Sequence, residues 1–256
     1  MRNVFAIAGR EIRAYFVSPL AYVIIGFFLF VTGLFFDLFV RSYALAALQA
    51  GTNPFLAEQL NIHEALVRPL YQYLHIILLF VVPLLSMRLL AEEKKQGTAE
   101  LLLTAPIKTS ELVLGKYAGA LTFVGVLMAL TAQYPFFLWA SGASPSLGPL
   151  LASILGALLL AAAFLSVGLF MSSLTENQII AAVTSFVLLL ILWIIGFAGE
   201  MAEGGAGSLL KAISLTENTE GFGKGVIDTQ NLIFFVTFIA FNLFLTQRAI
   251  ESRRWR

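Results

Sequence analysis

The sequence has no cysteine among its 256 residues. Disulfides, thiolate metal sites and cysteine nucleophiles are therefore excluded, and the redox compartment is left open. Charge is almost as scarce. Only 12% of the residues are Asp, Glu, Lys or Arg, about half the roughly 25% of an ordinary soluble domain. The net charge of +1 by itself says nothing about nucleic acid, and no nucleic-acid partner is expected. The two histidines, His63 and His75, stand without a carboxylate cluster at metal-binding spacing. Neither a His-Glu-x-x-His nor a Gly-x-Ser-x-Gly occurs. A phosphate-binding Gly-x-x-x-x-Gly-Lys-Ser/Thr is missing too. Gly115-Lys116-Tyr117 lacks both the earlier glycine and the hydroxyl that would hold magnesium. No catalytic, cofactor or metal site is expected in this chain.

Apolar residues fill the space that charge leaves. They make up 59% of the chain, and Phe alone occurs 23 times. A soluble fold of this size would lack the polar residues to cover its surface. A bilayer removes that difficulty, because a helix of about 20 apolar residues crosses its ~30 Å core. Six such stretches are expected, at about 20–40, 71–90, 116–140, 149–171, 178–199 and 231–246. Helix is required in each, since an open strand would leave backbone groups unpaired in lipid. The expected fold class is an all-α polytopic membrane protein forming one transmembrane domain over 1–256. Arg2, Arg10, Glu11 and Arg13 precede the first apolar run, and no cleavage pattern follows it, so that span is expected to remain.

Basic residues orient the spans. The side with both termini and the 91–115 connection holds 12 of the 16 Lys and Arg residues, and the other side holds four. That side is expected to be cytoplasmic. Residues 3–17 place Val4, Ile7, Ala8, Ile12, Tyr15 and Phe16 at helical spacing, which predicts an amphipathic interfacial helix. Residues 200–230 carry apolar patches among glycines, which predicts short re-entrant helices on the outer side. Pro83 and Pro135 each remove a backbone donor within a span and predict helix kinks there. The spans hold almost no charge near mid-membrane. Asp37 and Glu200 lie near outer ends, and the deep polar residues are neutral ones such as Gln133 and Asn242. Ion-coupled carriers ordinarily need a buried carboxylate at the midplane.

The most informative connection is MRLLAEEKKQGTAELLLTAPIKTSELVLGKY, Met87 to Tyr117. A charged helix should continue the second span, bend at Gly97-Thr98 and pass into a short helix bearing Leu101 to Leu103. Thr109-Ser110-Glu111 is placed to cap the helix of the third span. Three leucines on such an elbow need cover from the membrane surface or a partner.

Glu92-Glu93-Lys94-Lys95-x-Gly97-Thr98-x-Glu100-Leu101-Leu102-Leu103-Thr104-x-Pro106 resembles the characteristic cytoplasmic segment of ABC type 2 exporter permeases. Ser110-Glu111-Leu112-x-Leu114-Gly115-Lys116, the turn Ser172 to Gln178 and Gly225-Val226-Ile227-Asp228 continue the resemblance over nearly the whole chain. Its nearest likeness is to permeases of gliding motility and of nitrous oxide reductase maturation. The resemblance implies a P-loop ATPase partner that binds ATP and Mg. It also implies a second permease subunit, either a copy of this chain in a homodimer or a homologous permease. An accessory membrane or outer-face protein would be a further partner, and the setting would be a bacterial inner membrane. By the same resemblance Glu92, Glu93, Gly97, Thr98, Glu100, Leu101 and Leu102 would couple the ATPase to the spans. Two other readings stay open: a scaffold that passes ATPase motion to an outer partner without moving a solute, and an ion-coupled carrier.

Overall fold

A computed structural model of the chain describes residues 2–51, 61–97, 107–143, 145–202 and 205–254. The described residues hold eleven α-helices, one π-helical turn and no strand. In chain order they are α1 (Arg2–Val17), α2 (Pro19–Ala50), the π-turn His63–Val67, α3 (Arg68–Ser86), α4 (Arg88–Lys95), α5 (Thr109–Thr131), α6 (Gln133–Ala140), α7 (Leu147–Leu174), α8 (Gln178–Met201), α9 (Gly205–Ile213), α10 (Glu217–Gly223) and α11 (Thr229–Arg254).

Among the described residues, six units are long and apolar enough to cross a membrane: α2, the π-turn with α3 and α4, α5 with α6, α7, α8, and α11. They divide into two groups. Between 61 and 72% of the apolar stretches of the second, third and fourth spans is buried, against 17 to 22% in the first, fifth and sixth. The middle three form the core, and the other three flank it with faces turned outward. The fourth span, α7, can be central because it is thin. Ala157, Ala161, Ala162 and Ala163 are buried along it, and Gly156 and Gly168 let neighbours approach closely. A Cβ at Gly168 would lie 2.0 Å from Ser86 Oγ. A Cβ at Gly156 would lie 2.6 Å from the Cβ of Phe222.

Several helices outrun their apolar stretches. α2 has 32 residues, about 48 Å at 1.5 Å per residue, against a hydrocarbon core of ~30 Å. An Asp37–Arg41 pair at 2.8 Å lies along the last turns before that extension. α11 runs to Arg254, where Gln247 and Arg248 both bond Glu251. These i,i+4 and i,i+3 contacts support polar helix where no apolar run marks it.

Proline and hydroxyl groups set the interruptions. Pro135 has no amide to offer Thr131 O, and the helix divides at Ala132 between α5 and α6. Pro83 sits inside α3, and the helix continues past it, with Met87 N donating to Pro83 O at 3.0 Å. The second span divides at Met87, one turn beyond Pro83. Of the expected capping residues Thr109, Ser110 and Glu111, it is Glu111 that caps α5, with Lys108 at the N-cap. Glu111 Oε2 accepts from Lys108 N at 3.4 Å and from Asn3 Nδ2 at 3.0 Å.

At the end opposite the termini, α9 folds back along α8 and α10 packs on α7. Phe222 is fully buried in the notch left by Gly156. His63, also buried, places Nε2 3.0 Å from Gly223 O and so joins the π-turn to α10. Gly225, at φ +83°, reverses the chain against Pro149, a backbone conformation that favours glycine.

Candidate functional site

The site lies at the end of the bundle that carries both termini. Its foundation is the fit of α1 on α5. A Cβ at Gly115 would lie 2.7 Å from Ile7 Cβ, and one at Gly119 would lie 2.6 Å from Glu11 Cβ and 3.0 Å from Ala8 O. The Gly115-x-x-x-Gly119 stripe is therefore the bed of α1. Ile7, Ala8 and Tyr15, part of the apolar face of that amphipathic helix, are buried against protein. Tyr15 stacks on Phe123 at 5.0 Å between centroids and donates to Leu85 O at 2.8 Å. Burial pushes its phenol above the ordinary tyrosine range, although Arg88 works in the other direction.

Seating α1 in this way brings four charges together. Lys116, only 1% exposed, places Nζ 2.9 Å from Glu11 Oε1 and 2.8 Å from Glu93 Oε1. Arg10 Nη2 lies 2.7 Å from Glu93 Oε1 and 3.2 Å from Glu11 Oε1. Two cations face two anions, so the cluster is neutral as a whole. It joins three elements: α1 through Arg10 and Glu11, α4 through Glu93, and α5 through Lys116. A buried charge left without its partner is costly, by about 3–5 kcal/mol. The cluster therefore favours the relative position of the three elements in which each charge keeps its partner.

A second fastening joins α4 to α7. Ser172 Oγ accepts from Leu90 N and Ala91 N, each at 3.1 Å, and donates to Met87 O at 2.9 Å. A side-chain hydroxyl has entered the backbone ladder of the second span, and the helix divides there into α3 and α4. Lys94 Nζ donates to Ser173 O on the same turn of α7. Arg88 lies 4.8 Å over the Tyr15 ring and donates to Ser18 Oγ at 3.2 Å, which ties the same region to the α1–α2 junction. A polar recess of about 750 Å³ opens between α1 and α4.

The structure locates three of the seven residues that the resemblance singled out. Glu93 is in the charge cluster. Glu92 lines the recess and accepts from Gln96 Nε2 at 3.3 Å. Gly97 ends α4 at φ +70°, with nothing within 4 Å of an added Cβ. Its backbone conformation, and not crowding, is what suits glycine there. Thr98, Glu100, Leu101 and Leu102 lie outside the described residues.

Arg10, Glu11, Lys116 and Ser172 escaped the sequence reading as site residues. One signal was present: Lys116 falls between the glycines of a close-packing motif, where a charge needs a partner.

The model of a family described as ABC-2 family transporter protein matches residues 5–210. No curated protein matches the chain.

Proposed function

Because the chain belongs to the ABC-2 family of transporter proteins, we propose that it is the permease of an ATP-driven exporter, working as a dimer on separate ATPase subunits. Membership makes it a multi-pass membrane component of an ABC transporter, with an ATPase subunit as its partner. ATP and magnesium sit on that partner. The end with the termini and the elbow faces the cytoplasm, as the 12-to-4 distribution of basic residues favours. The membrane is a bacterial inner membrane, and cargo moves outward or is drawn from the bilayer. The second permease half is a copy of this chain or a homologous permease. Segments 92–106 and 110–116 support a place beside the permeases of gliding motility and nitrous oxide reductase maturation.

The observation that carries this reading is the Lys116 cluster. A partner pressing on the elbow after α4 would load Glu93, and Glu93 is bonded to both α1 and α5. The Ser172 insertion passes the same load to α7. The elbow root thereby acts on the core spans and not on a free loop.

The test is the ATPase rate of the reconstituted complex. The permease should change its partner's basal rate several-fold. Replacing Lys116 with Met and Glu93 with Leu together should abolish that effect while the partner stays bound. A rate indifferent to the pair contradicts the coupling role.

A further inference from the structure

The recess between α1 and α4 is lined by six charged residues: Arg10, Glu11, Arg88, Glu92, Glu93 and Lys116. Four of them satisfy one another in the cluster around Lys116. The remaining two, Arg88 and Glu92, stand one turn apart on α4, where side chains of opposite sign ordinarily meet. They do not meet. Arg88 turns to the α1–α2 junction, donating Nη1 to Ser18 Oγ at 3.2 Å and lying 4.8 Å over the Tyr15 ring. Glu92 turns the other way and accepts from Gln96 Nε2 at 3.3 Å. Neither has an ionic partner among the described residues. Arg88 is half-buried, and none of its nitrogens is both buried and unpartnered. Its spare donors are therefore open to whatever enters the recess.

The depth of the recess says what enters. Ser18 precedes the first residue of α2, and Arg88 follows the end of α3 by two positions. Their bond joins the ends of two apolar spans, so the floor of the recess lies where hydrocarbon gives way to headgroups. Val17, on the same wall, is 82% exposed, and Leu20 and Tyr22 follow it on the exposed side of α2. A protein docking from the aqueous side would meet the charges and leave this apolar rim bare. A lipid covers both.

The unpaired charges select its head. A bare phosphate would suit Arg88 and meet Glu92, and a bare amine would suit Glu92 and meet Arg88. A head with both groups, joined by a short arm, suits the pair. At about 750 Å³ the recess falls within the ~300–1,000 Å³ of ordinary small-ligand sites. We propose that it holds the headgroup of an aminophospholipid from the leaflet on the side of the termini, its phosphate on Arg88 and its ammonium on Glu92. Ser18 Oγ accepts from Arg88 and keeps its own proton to donate to the phosphate. A primary ammonium has hydrogens for Glu92, whereas a trimethylammonium has none and a glycerol head has no cation. The bound lipid fastens α4 to the α1–α2 junction beside the charge cluster. Its bearing on coupling rests on the permease reading, and its binding does not.

Native mass spectrometry of the full chain, stripped of lipid in detergent and without ATPase, tests the site. Phosphatidylethanolamine, phosphatidylcholine and phosphatidylglycerol with identical acyl chains are titrated in separately, and the first adduct is followed. Phosphatidylethanolamine should bind at least about fivefold more tightly than either of the others, because it alone makes charge-assisted bonds at both ends. Glu92→Gln should bring it down to the level of phosphatidylcholine, and Arg88→Gln should weaken it about tenfold. Where Arg88→Gln fails to assemble, the wild-type preference and Glu92→Gln still decide. Equal affinity for the three heads overturns the site and leaves the recess to the ATPase. Tighter binding of phosphatidylglycerol, or a preference for phosphatidylethanolamine that survives in Glu92→Gln, overturns it as well. Because no ATPase is present, failure here is distinct from failure of the permease reading.

Discussion

Lys116 Nζ lies 2.8 Å from Glu93 Oε1, and these two residues belong to helices joined only through the elbow connection. The lysine is at the root of the third span and the glutamate near the end of the second span's extension. Their contact, shared with Glu11 and Arg10, closes the base of the elbow.

Removing one partner should cost far more than removing the pair. Lys116→Met leaves the half-exposed Arg10 as the one cation against Glu11 and Glu93, so the largely buried carboxylates keep an uncompensated negative charge. The substitution should destabilise the chain by about 3–5 kcal/mol. Lys116→Met with Glu93→Leu should recover much of that. Thermal unfolding of both variants in detergent, completed as a double-mutant cycle, should give a coupling energy of about 1–3 kcal/mol. Simple additivity would show that the contact is incidental.

The seat of α1 is testable because the protein contains no cysteine. A single cysteine replacing the buried Ile7 should resist an aqueous maleimide. Adding Gly115→Leu puts atoms where Ile7 now packs, at less than 3 Å. Labelling should then rise at least tenfold. Equal labelling with and without Gly115→Leu would mean that α1 does not rest on the glycine stripe.

Ser172→Ala should strand two amides and one carbonyl around Met87 to Ala91. Unsatisfied buried groups cost about 1–3 kcal/mol, and the loss should appear in the melting midpoint. Hydrogen exchange should localise it, with Leu90 and Ala91 exchanging faster while the middle of α7 is unchanged. Uniform behaviour across the second span would argue that the hydroxyl carries no weight.

Acid should loosen the latch that Glu220 forms with Lys224 and Arg68 at the opposite end of the bundle. The hydrogen bond from Lys224 holds the Glu220 carboxyl below its ordinary value; partial burial opposes this, and the charges of Lys224, Arg68 and Lys211 reinforce it. A depressed carboxylate contributes stability above its unfolded value of about 4.3 and loses it as pH falls through the lower folded value. The melting midpoint of the wild type relative to Glu220→Gln should therefore shrink as pH is lowered through that window. Parallel curves would remove Glu220 from the latch. Much of the side chain is exposed, so the effect should be small.

The spans could be read in advance because a bilayer demands long uninterrupted apolar runs, and α7 and α8 are such runs. The extensions of α2 to Ala50 and α11 to Arg254 could not, since polar i,i+4 pairs such as Gln247 with Glu251 sustain them. Gly97 and the two glycines at 115 and 119 stood out as residues, although only the fold shows that the pair receives Ile7 and Glu11. The charge cluster was hidden for a plainer reason. Arg10, Glu11, Glu93 and Lys116 are separated by up to 106 positions, and local periodicity carries no information about such pairing. Ser172 resembled any serine at a helix end until its hydroxyl was placed inside the ladder of another helix.

The most direct test of the coupling account is capture of the tagged chain from its native membrane in mild detergent, with partners identified by mass spectrometry. A P-loop ATPase should be recovered in stoichiometric amount. It should be lost when Leu101→Glu and Leu102→Glu are combined, with membrane insertion intact. Recovery of well-folded chain without any ATPase, or an ATPase yield unchanged by the double substitution, would contradict the claim that this elbow is where the partner acts.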